Sequence, residues 1–128
     1  MGEFKEISSE QVLNLSLDGL YDSDQPPSLD ALMRLLAKPA GRAWAISGTQ
    51  GYQAAVWFSV VHDEAEIIDI RVGEAYRRTG IGESLLTQSF EKLRLSEIRS
   101  VSLEVRSSNT AALALYAKLG FAMIGRRE

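Results

Sequence analysis

The chain has 128 residues, 45% of them apolar and 24% charged, and a formal net charge of −3. That length suits about one domain with a buried core, and the slight negative charge speaks against a nucleic-acid surface or an anionic membrane partner. There is no cysteine, which excludes disulfides, thiolate zinc sites and a cysteine nucleophile.

Phe4 to Ile7 alternates apolar and charged residues and predicts a short first strand. Ser8 and Gln11 stand at capping-box spacing before Val12, Leu13, Leu17 and Leu20, which predicts a helix. A polar loop from Tyr21 to Pro27 follows. Ser28 caps a second helix with Leu29, Leu32, Met33 and Leu36 on one side, stopped by Pro39 and Gly41. Arg42 to Ser47 and Tyr52 to Val61 read as strands joined by the turn Ser47-Gly48-Thr49-Gln50-Gly51. His62-Asp63-Glu64 turns into a further strand, Glu66 to Val72, so the three form an antiparallel meander. His62 reads as a solvated turn residue, and Trp44 and Trp57 as core or sheet-face aromatics.

From Gly80 the period becomes helical, with Ile81, Leu85, Leu86, Phe90 and Leu93 on one face to about Leu95. Val101 to Arg106 alternates again as a strand. A strand, helix, strand connection of this length implies a parallel pair. Asn109 caps a last helix, Thr110 to Leu119, which Gly120 closes. Phe121 to Ile124 begins one more strand. The whole reads as a single α+β domain over residues 1–128 with a mixed sheet. Residues 1–5 do not read as a signal peptide, and no apolar stretch is long enough to span a bilayer. The expectation is a soluble cytoplasmic protein.

The turn Arg77-Arg78-Thr79-Gly80-Ile81-Gly82-Glu83 follows a strand and opens a helix. Unpaired N–H groups at a helix start suit a phosphate, and glycines let the backbone approach it. The turn lacks the Gly-Lys-Ser/Thr ending of a nucleotide P-loop. Leu85 replaces the third glycine of the dinucleotide fingerprint. Two glycines at such a turn also serve simply to close the backbone.

The string Arg77-x-x-Gly80-x-Gly82, then Leu103-Glu104-Val105-Arg106-Ser107-Ser108-Asn109 through Tyr116, and Leu119-Gly120-Phe121, resembles the GCN5-related N-acetyltransferase (GNAT) superfamily. Within it the likeness is to the RimI branch, bacterial acetyltransferases acting on the N-terminal alanine of a small-subunit ribosomal protein. The likeness is close from about Ala65 to Phe121. It implies the GNAT fold, with the Glu66–Val72 strand splayed from the Val101–Arg106 strand. It implies acetyl-CoA as donor and no metal. The pantetheine arm would pair with backbone at Ile70, Arg71 and Val72. The pyrophosphate would lie on the amides of Arg78, Thr79, Gly80, Ile81, Gly82 and Glu83, with Arg77 or Arg78 balancing charge. Asn109 would contact the cofactor as well as cap its helix.

Acetyl transfer to an amine needs a base, a polarised carbonyl and a proton for the leaving thiolate. Glu104, on the polar face of its strand, is the candidate base. Read alone it would be a surface glutamate, and the resemblance gives it the catalytic role. Tyr116 is the candidate acid. By spacing it serves equally as a packing residue of the last helix, and the resemblance points to the acid. An unperturbed phenol near pKa 10 giving its proton to a thiolate near 8.5 is uphill by roughly 2 kcal/mol. An α-amine, with a pKa of roughly 8, deprotonates more readily than a lysine.

Relatives carry proline where Gly73-Glu74 stands. They also continue past Arg126-Arg127 into a tyrosine-containing loop and a final strand, which this sequence lacks. A partner, or a strand exchanged in a homodimer, would supply that strand. Three readings stand side by side. The first is a transferase acting on the N-terminal amine of an acceptor peptide. The others are a transferase for a lysine or small-molecule amine, and a non-catalytic acyl-CoA-binding module.

Overall fold

The structure is a computed structural model describing residues 2–7, 20, 28–49, 51–103 and 110–120. Strands β1 (Glu3–Ile7), β2 (Gly41–Gly48), β3 (Gly51–Val61), β4 (Glu64–Val72) and β5 (Ser100–Leu103) form one five-stranded sheet in that order. The first four are antiparallel to their neighbours, and β5 joins β4 in parallel. The expected meander and parallel pair are both present. The strand expected from Val101 begins at Ser100, and 104–109 lie outside the described residues. So do the expected helix start at 8–19 and the strand at 121–124.

Helix α1 (Leu29–Leu36) starts where Ser28 Oγ accepts from the Ala31 N–H at 3.2 Å. Such a cap is worth about 1 kcal/mol. Leu32 and Leu36, four apart, are the buried residues of this helix. They pack on one sheet face with Ile7, Leu20, Ala43, Ala45, Ala55 and Trp57. Helix α2 (Ile81–Leu95) covers the other face, where Leu85, Leu86 and Leu93 meet Trp44, Ile46, Val56 and Phe58. Trp44 and Phe58 meet edge to face at 5.6 Å, and Phe90 continues the chain of rings at 6.5 Å from Phe58. Contacts of this geometry add about 0.5–1.5 kcal/mol beyond the area they bury.

Because both faces are covered, the run Ala54-Ala55-Val56-Trp57-Phe58 is buried throughout instead of alternating. Its even residues belong to the α2 face and its odd residues to the α1 face. Helix α3 (Thr110–Lys118) brings Leu115, Tyr116 and, just beyond its end, Leu119 against the α2-face cluster. Gly120 closes it with φ 98°, as the sequence predicts.

Between β4 and α2 the structure has a feature the sequence reading lacks. Glu74–Tyr76 form a single 3₁₀ turn, with Tyr76 N–H bonded to the Gly73 carbonyl at 2.9 Å. In addition, the β3–β4 register slips between Trp57 and Phe58: Trp57 faces Asp69, Phe58 faces Ile67, and Ile68 is the extra residue. This bulge reverses the alternation of β4. Ala65 and Ile67 lie on the α2 face before it, Ile70 and Val72 after it. Asp69 and Arg71 are thereby turned to the α1 face, opposite Trp57 and Ala55.

Candidate active site

The glycine turn is built from the end of β4. Gly73 N–H bonds the Gln53 carbonyl at 2.8 Å, which ties the strand's exit to β3. Arg77 Nε donates to the Val72 carbonyl at 3.1 Å, and Thr79 Oγ1 donates to the Tyr76 carbonyl. Arg78 takes φ 65° and Gly80 takes φ 84°. At Gly80 a Cβ would meet nothing within 4 Å, so the left-handed backbone, not crowding, calls for glycine.

The first intrahelical bond of α2 is Ser84 N–H to the Gly80 carbonyl, 3.0 Å. No side chain caps the helix. Its first N–H groups, those of Ile81, Gly82 and Glu83, therefore have no acceptor within the helix and face the positive end of its dipole. Glu83 would place a carboxylate there, but Lys118 of α3 holds it at 3.0 Å. Arg77 and Arg78 are exposed beside the turn. At Gly82 a Cβ would sit 3.4 Å from Val72 Cγ2, an ordinary contact. The chain's own packing and backbone do not require glycine at that position.

β4 and β5 pair from Glu64/Ser100 to Ile67/Leu103. Among the described residues, β4 has no partner on that edge from Ile68 to Val72. In an extended strand, alternate N–H and C=O groups of this stretch point away from β3. Ile70 and Val72 line the α2 face beside Ile81. The glycine turn follows directly on this stretch of β4.

The opposite face carries charge. Arg71 Nε donates to Asp69 Oδ2 at 3.1 Å, and Arg71 Nη1 donates to the Leu20 carbonyl at 3.2 Å. The two side chains are only 13% and 14% exposed. Tyr116 of α3 packs with the α2-face cluster and lies within electrostatic reach of Asp69. Burial, with the charge of Asp69 adding to it, pushes its phenol above the usual tyrosine range. Tyr116 therefore gives up its proton less readily than an unperturbed tyrosine.

The structure brings Ile70, Arg71, Val72, Arg77, Arg78, Thr79, Gly80, Ile81, Gly82 and Glu83 into one continuous path from strand to helix. Tyr116 stands with the α2-face cluster and within electrostatic reach of Asp69. Glu104 and Asn109 lie outside the described residues. Trp44 and Trp57 are core aromatics, and His62 is an exposed turn residue with φ 57°. Asp69 is absent from the sequence-derived site. In the sequence Asp69 and Arg71 read as ordinary alternation with Ile68, Ile70 and Val72, and nothing local marks the bulge. Among the described residues no helix is long and apolar enough to cross a membrane, and no cluster of metal-ligating side chains occurs.

The antiparallel meander, the parallel β4–β5 pair and the uncapped helix start after β4 make up the architecture of an N-acetyltransferase. The family model described as the acetyltransferase (GNAT) family matches residues 9–121, and the chain belongs to that family. The ribosomal protein bS18-alanine N-acetyltransferase of Escherichia coli (strain K12) is 45% identical over 62 residues, 48% of this chain and 42% of that protein. A putative enzyme of the same description from Bacillus subtilis (strain 168) is 37% identical over 78 residues, 61% of this chain and 50% of that protein. The matched stretches thus span about half the length of these relatives, or less. In structure, the ribosomal-protein-S18-alanine N-acetyltransferase from Escherichia coli superimposes with a TM-score of 0.83 at 25% identity, covering 98% of this chain and 80% of that one. An aminoglycoside acetyltransferase from an uncultured soil metagenomic sample shares the fold, with a TM-score of 0.75 at 15% identity, over 98% of this chain and 91% of that one.

Proposed function

We propose that the chain is an acetyl-CoA-dependent N-acetyltransferase acting on the α-amine of a protein N-terminus that begins with alanine, as on a ribosomal protein. The observation that carries this is the uncapped start of α2 just after the stretch of β4, Ile68 to Val72, that has no partner on its outer edge among the described residues. The 45% identity to the Escherichia coli enzyme supports the acceptor class.

In this reading the amides of Arg78 through Glu83 hold the pyrophosphate, with Arg77 and Arg78 as counter-charges. Lys118 keeps the Glu83 carboxylate from competing for that place. The backbone of Ile70, Arg71 and Val72 receives the pantetheine arm, and a strand N–H there polarises the acyl carbonyl. Acetyl-CoA supplies the acetyl group as an activated thioester. Glu104 takes a proton from the acceptor amine, directly or through a water. Tyr116 donates a hydrogen bond, then its proton, to the leaving sulfur. A phenol is in the donor form at neutral pH in any case, and burial raises its hold on that proton further. Asn109 caps α3 and contacts the cofactor.

The test is calorimetric titration with acetyl-CoA, then release of free CoA on adding an alanine-initiated peptide. Binding with turnover supports the reading. Turnover only on a lysine peptide or a small amine moves the acceptor class. Binding without turnover on any amine leaves an acyl-CoA-binding module, and no binding refutes the cofactor assignment.

A further inference from the structure

The cofactor path proposed above has two parts. One is the outer edge of β4 from Ile68 to Val72, which has no partner among the described residues. The other is the uncapped start of α2 after Gly80. A ligand that touches both gains from the second contact only when the two parts are held at one distance and angle. Something in the intervening segment must hold them so.

The phase of the β3–β4 ladder shows where that hold is made. Val72 stands opposite Ala54, and the Gly73 N–H bonds the Gln53 carbonyl at 2.8 Å. Bonded and non-bonded pairs alternate along an antiparallel ladder. Gly73 and Gln53 form a bonded pair, so Val72 and Ala54 exchange no bonds. The Val72 carbonyl therefore points away from β3, and Arg77 Nε reaches it at 3.1 Å. By the same alternation the backbone of Arg71, opposite Ala55, is turned to β3, and that of Ile70, opposite Val56, is turned outward.

Between Val72 and Arg77 the segment is shaped from within. The Tyr76 N–H bonds the Gly73 carbonyl at 2.9 Å, and the Arg77 N–H bonds the Glu74 carbonyl at 3.4 Å. Thr79 Oγ1 then donates to the Tyr76 carbonyl. These bonds give the turn its form. The Arg77 side chain does something different, because it returns the far end of the turn to the strand the chain has just left.

We propose that Arg77 is a positioning residue: its Nε, on the Val72 carbonyl, holds the glycine turn at a fixed geometry to the β4 edge, so that one acyl-CoA spans both. The proposal rests on the transferase reading above and deepens it. The counter-charge narrows to Arg78, and Arg77 acts through a hydrogen bond to the backbone.

Glutamine carries a neutral N–H donor on the atom bonded to Cδ, the place Nε occupies in arginine, whereas methionine has a stem of similar length and no donor. The full chain and its Arg77→Gln and Arg77→Met variants, each first checked by thermal denaturation, are titrated with acetyl-CoA and with ADP. ADP carries a diphosphate but no pantetheine arm. Arg77→Met should weaken acetyl-CoA binding by about tenfold and Arg77→Gln by less than about threefold, the loss and the recovery of one hydrogen bond. ADP, touching the turn alone, should bind all three within about twofold. Retained ADP binding also shows that the turn is folded in Arg77→Met.

Equal weakening of acetyl-CoA binding in the two variants overturns the proposal and makes Arg77 a counter-charge. A loss of ADP affinity as large as that of acetyl-CoA overturns it too, as does wild-type acetyl-CoA affinity in Arg77→Met. So does a wild type that binds acetyl-CoA but not ADP, since the turn is then no separate part of the path. In each of those cases acetyl-CoA binding by wild type leaves the cofactor assignment standing. Its absence removes both.

Discussion

Asp69 and Tyr116 belong to opposite faces of the sheet and interact across the edge of β4. Burial and then the Asp69 charge raise the Tyr116 phenol above its ordinary value. Below about pH 10 the phenol is protonated in folded and unfolded chains alike. Above that, the unfolded phenol ionises first, so the folded chain holds a proton that the unfolded chain has lost. The stability from this group is complete below about pH 10 and declines as pH rises through the folded value. Urea denaturation at about pH 8 and about pH 11 should show a larger loss in wild type than in Tyr116→Phe, and a loss of intermediate size in Asp69→Asn.

Gly80 and Gly82 have different reasons to be glycine. Gly80 holds a left-handed backbone with space around it, and Gly82 has neither constraint. Gly80→Ala should destabilise the fold by about 1–2 kcal/mol, seen as a lower urea midpoint. Gly82→Ala should leave that midpoint nearly unchanged and weaken acetyl-CoA binding by about tenfold, a difference of about 1.4 kcal/mol. Unchanged affinity in Gly82→Ala would remove the anion from this turn.

Ile67 and Ile68 are adjacent and nearly identical in chemistry, but the bulge gives them different fates. Ile67 is 8% exposed in the α2-face core, and Ile68 is 36% exposed. Ile67→Ala should cost about 2–4 kcal/mol through the cavity it leaves. Ile68→Ala should cost less than about 1 kcal/mol. Deleting Ile68 would remove the bulge and leave plain alternation, with Asp69 and Arg71 still on the α1 face, so the chain should still fold, as thermal denaturation would show.

Ser89 lies on the buried face of α2 at 0% exposure, and its Oγ has no hydrogen-bond partner among the described residues. A buried hydroxyl without a partner costs the desolvation it suffers. Ser89→Ala removes that cost with almost no change in volume and favours the helix by propensity. Chemical denaturation should register a gain of up to about 1 kcal/mol.

Much of this molecule is written locally. Ser28 caps its helix because its hydroxyl is short and next to the N–H it serves. The helix at Ile81 starts where a glycine permits the left-handed turn, and the glycine turn is readable as an anion cradle for the same reason. Strands Arg42–Ser47, Tyr52–Val61 and Glu66–Val72 follow from β-branched and aromatic runs between turns, and each lies within one or two residues of its observed bounds.

What local pattern does not carry is the meeting of chain segments far apart. Periodicity describes one strand at a time, whereas the bulge at Ile68 is a relation between β3 and β4. The charged pair Asp69–Arg71 reads in sequence as ordinary alternation. Its burial beneath the α1 side, its bond to the Leu20 carbonyl and its reach to Tyr116 exist only once three distant segments are packed together. The same holds for Lys118, an end-of-helix lysine by sequence that the packing of α3 on α2 turns into the partner of Glu83. Capping, turns and apolar period are set by neighbours within about four residues, so the amino-acid order is enough for the elements and the glycine turn. The electrostatics around Asp69, Arg71 and Tyr116 are set by through-space distance and by the water that packing excludes, and these are properties of the assembled fold alone.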